Sequence, residues 1–240
     1  MKTAVHRLLH RLLGLDVVRY DGRRFIARKR IEVIEKLSVT VVLDVGAGTG
    51  QFASWLRGER YTGRIVSFEP VAEEFAAVER LSAADPAWTG VNVALGARND
   101  DVVMNVAGNL QSSSLLPMTR LHETAAPVSS YVREEVVRLA RLDSLSLVGS
   151  HDRAYLKIDA QGAEGAVLDG AAGAFDRIVA VELELSLREL YEGQELLPAL
   201  YERMLRQGFA LVWLGESMFR DPVSDEILAV DGIFLRRDPS

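Results

Sequence analysis

Short apolar runs at Val41–Leu43, Arg64–Phe68, Val91–Leu95, Ala154–Ile158 and Ile178–Leu183 alternate with amphipathic stretches of helical length, such as Val71–Leu81 and Ala163–Leu168. This alternation constrains the chain more than any other feature. A run too short for a helix and without a polar face needs cover on both sides, the condition of a strand inside a parallel sheet. Strand and helix in turn imply a doubly wound α/β fold. Phe209–Leu214 and Ile227–Leu235 break the rhythm, because only a loop containing Asp221-Pro222 lies between them. A parallel crossover needs a dozen residues or more, so these two runs are expected to pair antiparallel. Upstream, Phe25, Ile26, Ile31, Ile34 and Leu37 recur among Arg and Lys, as in a helix over Phe25–Leu37 leading into the sheet. The expectation is a mostly parallel seven-stranded Rossmann-like sheet with a C-terminal antiparallel hairpin over residues 41–240, preceded by a helical extension or cap over 1–40. In that extension Leu8, Leu9, Leu12 and Leu13 oppose His6, Arg7, His10 and Arg11. Such a helix lies on the domain, or on a membrane surface or partner.

Composition removes several classes of function. The chain has 240 residues, enough for one sizeable domain, and 28 basic against 34 acidic residues give a net charge of -6. That balance argues against coating a phosphate backbone, so no nucleic-acid partner is expected. The absence of cysteine excludes disulfides, zinc–thiolate sites, iron–sulfur clusters and cysteine nucleophiles. No apolar run is long enough to form a transmembrane segment. The basic residues of MKTAVHRLLHRLLGL interrupt any signal-peptide core. A cytoplasmic location is expected.

Asp44-Val45-Gly46-Ala47-Gly48-Thr49-Gly50-Gln51-Phe52 follows the first apolar run directly. Alternate glycines allow a sharp turn and let a ligand approach the main chain with no Cβ in the way. The helix expected to start at Gln51 would then point its N-terminus at that ligand. A dinucleotide fingerprint is G-x-G-x-x-G, whereas this chain reads G-x-G-x-G after an acidic residue. That is the form associated with S-adenosylmethionine, in which Asp44 can take the ammonium group of the cofactor. Ser67-Phe68-Glu69-Pro70 ends the next run. A carboxylate placed there, Glu69, can accept hydrogen bonds from two ribose hydroxyls. The cofactor-binding set expected is Asp44, Gly46, Ala47, Gly48, Gly50, Gln51, Phe52, Glu69 and Pro70, with Asn92, Ala94 and Leu95 of the third strand along the adenine edge. Ser113, in the Ser112-Ser113-Ser114 loop, either caps the ligand or belongs to an ordinary loop.

Further on come Asn92-Val93-Ala94-Leu95-Gly96, Ser112-Ser113-Ser114-Leu115, Arg141-Leu142-Asp143-Ser144-Leu145, Leu156-Lys157-Ile158-Asp159-Ala160-Gln161-Gly162-Ala163-Glu164, Leu190-Tyr191-Glu192-Gly193-Gln194 and Val230-Asp231-Gly232-Ile233-Phe234. From about Val41 to Arg236, this order resembles the FkbM-like family of S-adenosylmethionine-dependent methyltransferases. The antiparallel closing hairpin is likewise the arrangement of class I methyltransferases. The resemblance implies methyl transfer to a hydroxyl oxygen of a sugar, glycoside, polyketide or similar natural product. Relatives often carry Asn in place of Gly48, and either Glu or Gln in place of Gln161. The first forty residues lie outside the match, where an acceptor-specific cap would fit.

Methyl transfer requires a positioned acceptor and a group to receive its proton. Lys157 and Asp159 share one face of a strand and Leu156 and Ile158 the other. That strand is expected beside the first, at the topological switch point where ligands bind. Lys157, Asp159 and Glu164 are the expected catalytic residues, and Asp159 is also expected to touch the cofactor. Glu164 serves that pocket or favours the dipole of the helix it opens. Glu182 and Glu184 repeat the pattern on the next strand. Either one of them pairs with Lys157 and the other meets solvent, or both join Asp159 in a carboxylate cluster able to hold a divalent cation. With no histidine alongside, no metal is expected. His122 and His151 are alternative bases, although a loop histidine is more often solvated. Pro117–Ser130 is a long connection of the kind that forms lids or substrate loops. A nicotinamide-dependent oxidoreductase and a non-catalytic cofactor-binding module are the competing readings. The expected partner is a small hydroxylated acceptor; a homodimer is left open.

Overall fold

The computed structural model describes residues 22–216 and 219–237. The basic helix read over residues 6–13 lies outside them. Among the described residues, no helix is long and apolar enough to cross a membrane.

The apolar runs form strands because each can bury both of its faces. Strands β1 (Val41–Val45), β2 (Arg64–Phe68), β3 (Trp88–Val91), β7 (Ala154–Ile158) and β8 (Ile178–Ser186) lie parallel, joined by β9 (Phe209–Glu216) and β10 (Ala229–Arg236) in a seven-stranded sheet. The order is β3-β2-β1-β7-β8-β10-β9. The expected hairpin is present, and its second strand inserts between β8 and β9, antiparallel to both. Chain order reverses where β1 meets β7, which places the crevice of a doubly wound sheet at the carboxyl ends of these two strands.

One face buries Leu43, Leu156 and Val181 against α5 (Glu164–Gly170) and α6 (Leu197–Arg206) through Val167, Leu168, Leu200 and Met204. The other buries Val42, Ile65, Tyr155 and Ile233 under α1 (Gly22–Lys36), α2 (Gln51–Gly58) and α3 (Ala72–Ala83). Helix α1 covers the stretch expected to be helical, and its Ile26, Val33 and Ile34 belong to that core.

The run read as one strand over Val91–Leu95 is divided. β3 ends at Val91, where the Val93 N–H turns back to the Val91 carbonyl and the Asn92 amide donates to the carbonyls of Glu69 and Pro70. Ala94 and Leu95 then form β4, which leaves the main sheet to pair with Leu139 and Ala140. They join a second, three-stranded sheet with β5 (Asp100–Ala107) and β6 (Tyr131–Ala140). The β5–β6 hairpin has one wet face, on which Val132, Glu134, Val136 and Arg138 are exposed. It therefore lacks the continuous apolar signal of a doubly covered strand.

Candidate active site

A cavity of about 810 Å³ opens at the carboxyl ends of β1, β2 and β7, a size suited to a small organic molecule. Asp44, Gly46, Ala47, Gly48, Gln51, Phe52, Glu69, Pro70, Ala94, Leu95, Ser113, Lys157 and Asp159 all line it. Gly50, Asn92 and Glu164 do not.

The turn after β1 needs its glycines for different reasons. Gly46 has φ +72°, and a Cβ there would lie 1.9 Å from the Asp159 carbonyl oxygen, so the two crossing backbones leave no room for a side chain. Gly48, at φ +54°, faces only the ends of Gln51 and Glu74. Gly50 sits at the N-cap of α2 with φ +83°, packed against the Trp88 ring and behind the cavity rather than in it.

The turn is held by Glu69. One carboxylate oxygen accepts the Gly48 N–H and the other the Val71 N–H, each at 2.8 Å. Burial pushes Glu69 up to about 8, with Glu74 adding to the rise against the pull of those N–H groups. Asn92 supports Glu69 from behind through the carbonyl contacts at the end of β3.

Asp44 is fully buried. Its Oδ2 accepts from Ser67, itself held by the Trp88 indole N–H at 3.0 Å, while its Oδ1 has no hydrogen-bond partner. Burial raises its pKa, and the Lys157 ammonium opposes that rise. Lys157 Nζ lies 3.7 Å from Asp44 Oδ1 and 3.5 Å from Asp159 Oδ2, above the Phe52 ring. Burial alone would lower Lys157, but Asp159 and Asp44 together hold it above its ordinary value and so charged.

Asp159 also accepts from the Gln161 amide at 2.6 Å, and its side chain is 42% exposed. Gln161 takes the left-handed backbone region, at φ +50°. Its amide N–H₂ also reaches Glu184 at 3.3 Å, and its oxygen accepts the Tyr191 hydroxyl at 2.6 Å. The Ser114 hydroxyl donates to the Gln161 carbonyl and so ties the serine loop to this one.

Two family-scale comparisons bear on this arrangement. The family model of the methyltransferase FkbM domain matches residues 44–211, from the aspartate of the glycine turn into β9. The chain belongs to the FkbM methyltransferase family. Methyl transfer is the activity for which that family is named. Among solved structures, an FkbM methyltransferase from Methylobacillus flagellatus KT is 11% identical with a TM-score of 0.50; the match covers 92% of this chain and 46% of that one. The chain thus spans less than half the length of that relative. An S-adenosylmethionine-dependent methyltransferase from Mesorhizobium loti, also 11% identical, has a TM-score of 0.50 over 90% of this chain and 98% of its own. At such identities both comparisons speak to the fold. A comparison with curated protein sequences returns no match.

In this FkbM-family chain, several side chains lie elsewhere than their sequence positions suggest. Glu164, grouped above with the catalytic residues, turns away from the cavity: its Oε1 accepts the N–H groups of Ala160 and Gly162, and burial pushes it up to about 7. It shapes the loop that carries Asp159 and Gln161. Glu182 does not pair with Lys157. It accepts the Arg30 guanidinium from α1 and the Tyr155 hydroxyl at 2.5 Å. Glu184 is half-buried and lines the cavity, and burial followed by the Asp159 charge raises it well above the carboxylate range. Among the described residues, no group of three or more His, Asp or Glu side chains is placed to hold a metal ion.

His122 is not a solvated loop residue. It sits in α4 (Arg120–Ala125), inside the connection expected as a lid, is 4% exposed and lines the cavity. His151 is exposed and outside it. Ser113 lines the cavity while its hydroxyl bonds the Leu110 carbonyl and the Ala107 N–H, holding the serine loop in shape. Gln161, Tyr191 and Arg30 had been given no role. Gln161 carried a signal, as the polar residue two positions beyond Asp159; Arg30 carried none, since its partner lies 152 positions away.

Proposed function

We propose that this protein transfers the methyl group of S-adenosylmethionine to a hydroxyl oxygen of a small molecule. One observation carries the reading: a glycine turn flanked by two buried carboxylates, Glu69 and Asp44, whose Oδ1 accepts no hydrogen bond and has the Lys157 ammonium 3.7 Å away, in the cavity that also holds Asp159. A buried carboxylate oxygen that accepts no hydrogen bond is costly unless a ligand completes it, and an ammonium group suits Asp44. Glu69 offers acceptors to ribose hydroxyls, the backbone at Gly48 leaves room for close approach, and Ala94, Leu95 and Ser113 offer a largely apolar edge to adenine. The bound cofactor supplies an electrophilic methyl group on a sulfonium.

The remaining work falls to the chain. Asp159 receives the proton released by the acceptor hydroxyl, a role suited to a half-exposed carboxylate at the cavity wall. Lys157 orients that carboxylate through one oxygen, and Gln161 holds the other.

Calorimetric titration with S-adenosylmethionine, S-adenosylhomocysteine and NADH tests the cofactor. Binding of the two sulfur compounds and not of NADH is the expected result. NADH binding without S-adenosylhomocysteine binding would replace this reading with that of an oxidoreductase.

A further inference from the structure

Part of the wall of the cavity that holds Asp159 is apolar, and the space beside that wall is a chamber. Ala126, Leu190 and Phe219 line it there, and the Leu190 wall is backed by Leu228. Set into this wall is His122. Its ring meets Tyr191 edge-on and Phe219 at a tilt, both at 5.0 Å between centroids, and its Nδ1 is buried with no hydrogen-bond partner. Burial lowers His122 to about 4, so the imidazole is neutral and offers one donor and one acceptor nitrogen. His122 lines the cavity, and a buried polar atom without a partner in a lining side chain is where a ligand group can complete a hydrogen bond.

We infer that this chamber is the acceptor subsite and that the acceptor is a hydroxylated molecule with a mainly apolar body, anchored by one hydrogen bond to His122 opposite Asp159. The inference rests on the methyl-transfer reading and narrows its acceptor class. A free sugar carries hydroxyls on every edge, and those turned to Ala126, Leu190 and Phe219 would lose water without gaining a partner. An apolar body removes that wall from water and leaves its few polar groups for His122 and Asp159.

Phenyl β-D-glucopyranoside and methyl β-D-glucopyranoside carry the same ring hydroxyls and differ in apolar area. Their dissociation constants are measured by saturation-transfer NMR, with and without S-adenosylhomocysteine, so that failure of the cofactor reading and failure of the chamber are seen separately. The phenyl glucoside is expected to bind about tenfold tighter or more, the size of effect that burying an aromatic ring gives. His122→Phe keeps the ring contacts and removes the unpaired nitrogen; it should melt no lower than the wild type yet bind the phenyl glucoside about tenfold more weakly. Phe219→Ser removes apolar wall, with one ring contact of His122 but not its imidazole, and should bring the two glucosides to within about threefold of each other. Equal binding of the two glucosides, binding of neither, or wild-type affinity in a folded His122→Phe protein would overturn the inference.

Discussion

Arg30 ties α1, a helix outside the family-matched segment, to the central sheet by its charge. Its guanidinium Nε donates to both oxygens of Glu182, at 3.0 and 2.9 Å, and its Nη2 also reaches the carboxylate. Glu182 is 2% exposed and has one further partner, the Tyr155 hydroxyl. The same guanidinium lies over Phe52 and Trp55, at 5.1 and 5.8 Å from their centroids, and Phe52 lines the cavity. Arg30→Ala leaves a buried carboxylate without its cation, a loss worth about 3–5 kcal/mol in comparable pairs. The lost stacking adds roughly 0.5–1 kcal/mol for each ring. For a domain of this size, each kcal/mol lowers the melting temperature by about 2–4 °C, so a fall of roughly 10–25 °C is expected. Urea denaturation gives the free energy directly. Pairing Arg30→Met with Glu182→Leu removes both charges and should restore stability to within ~1 kcal/mol of the wild type, because a buried ion pair and an apolar pair of similar size are often equivalent. A single-variant cost below ~1 kcal/mol, or a double variant less stable than Arg30→Ala, would refute the reasoning.

Asp159→Asn should lose about 10²–10⁴ in turnover while cofactor affinity changes only a few-fold. Its side chain is 42% exposed and Lys157 retains Asp44, so the stability cost should stay under ~1 kcal/mol; a stable variant with wild-type turnover, measured with and without EDTA, would end the proton-acceptor assignment. Gly46→Ala places a methyl 1.9 Å from the Asp159 carbonyl at a positive φ, and strain plus overpacking should cost ~2–4 kcal/mol. Gly48→Asn should be tolerated and Gly48→Val should lose cofactor binding, because asparagine accepts the left-handed region and valine does not; normal affinity in Gly48→Val would sink the loop assignment. Glu69→Ala should weaken S-adenosylmethionine binding by roughly ten- to a hundred-fold. Burial lifts Glu69 from its ordinary 4.5 to about 8, so between those values the folded state holds a proton that the unfolded chain has released. Its contribution to stability is therefore present below 4.5 and lost as pH rises through about 8. Glu69→Gln should lose less stability than the wild type between about pH 5 and 8 in urea titrations, and equal slopes would contradict this shift.

Much of the scaffold was legible along the chain because its signals are local. Val41–Leu43 and Ala154–Ile158 read as buried strands since a short run with no polar face has few other solutions, and both stand in the central sheet. The glycine turn was legible because Gly46 and Gly50 need backbone angles that few other residues adopt, and Glu69 because it ends the strand beside that turn. The β5–β6 hairpin was not, since exposed Glu134 and Arg138 interrupt its pattern, and neither was the end of the third strand at Asn92, whose side-chain bonds reach back to Glu69 and Pro70. The charged layer over the sheet depended wholly on the fold. Strand alternation put Lys157 and Asp159 on one face and suggested that one of Glu182 and Glu184 pairs with Lys157. Helix α1 brought Arg30 to Glu182 and left Lys157 to Asp44 and Asp159. Loop closure likewise made His122 a buried neutral ring and turned Glu164 into the support of its own turn. Sequence periodicity sets which face a side chain occupies, but the choice among charged partners on that face is electrostatic and falls to whichever group the packing brings within hydrogen-bond reach.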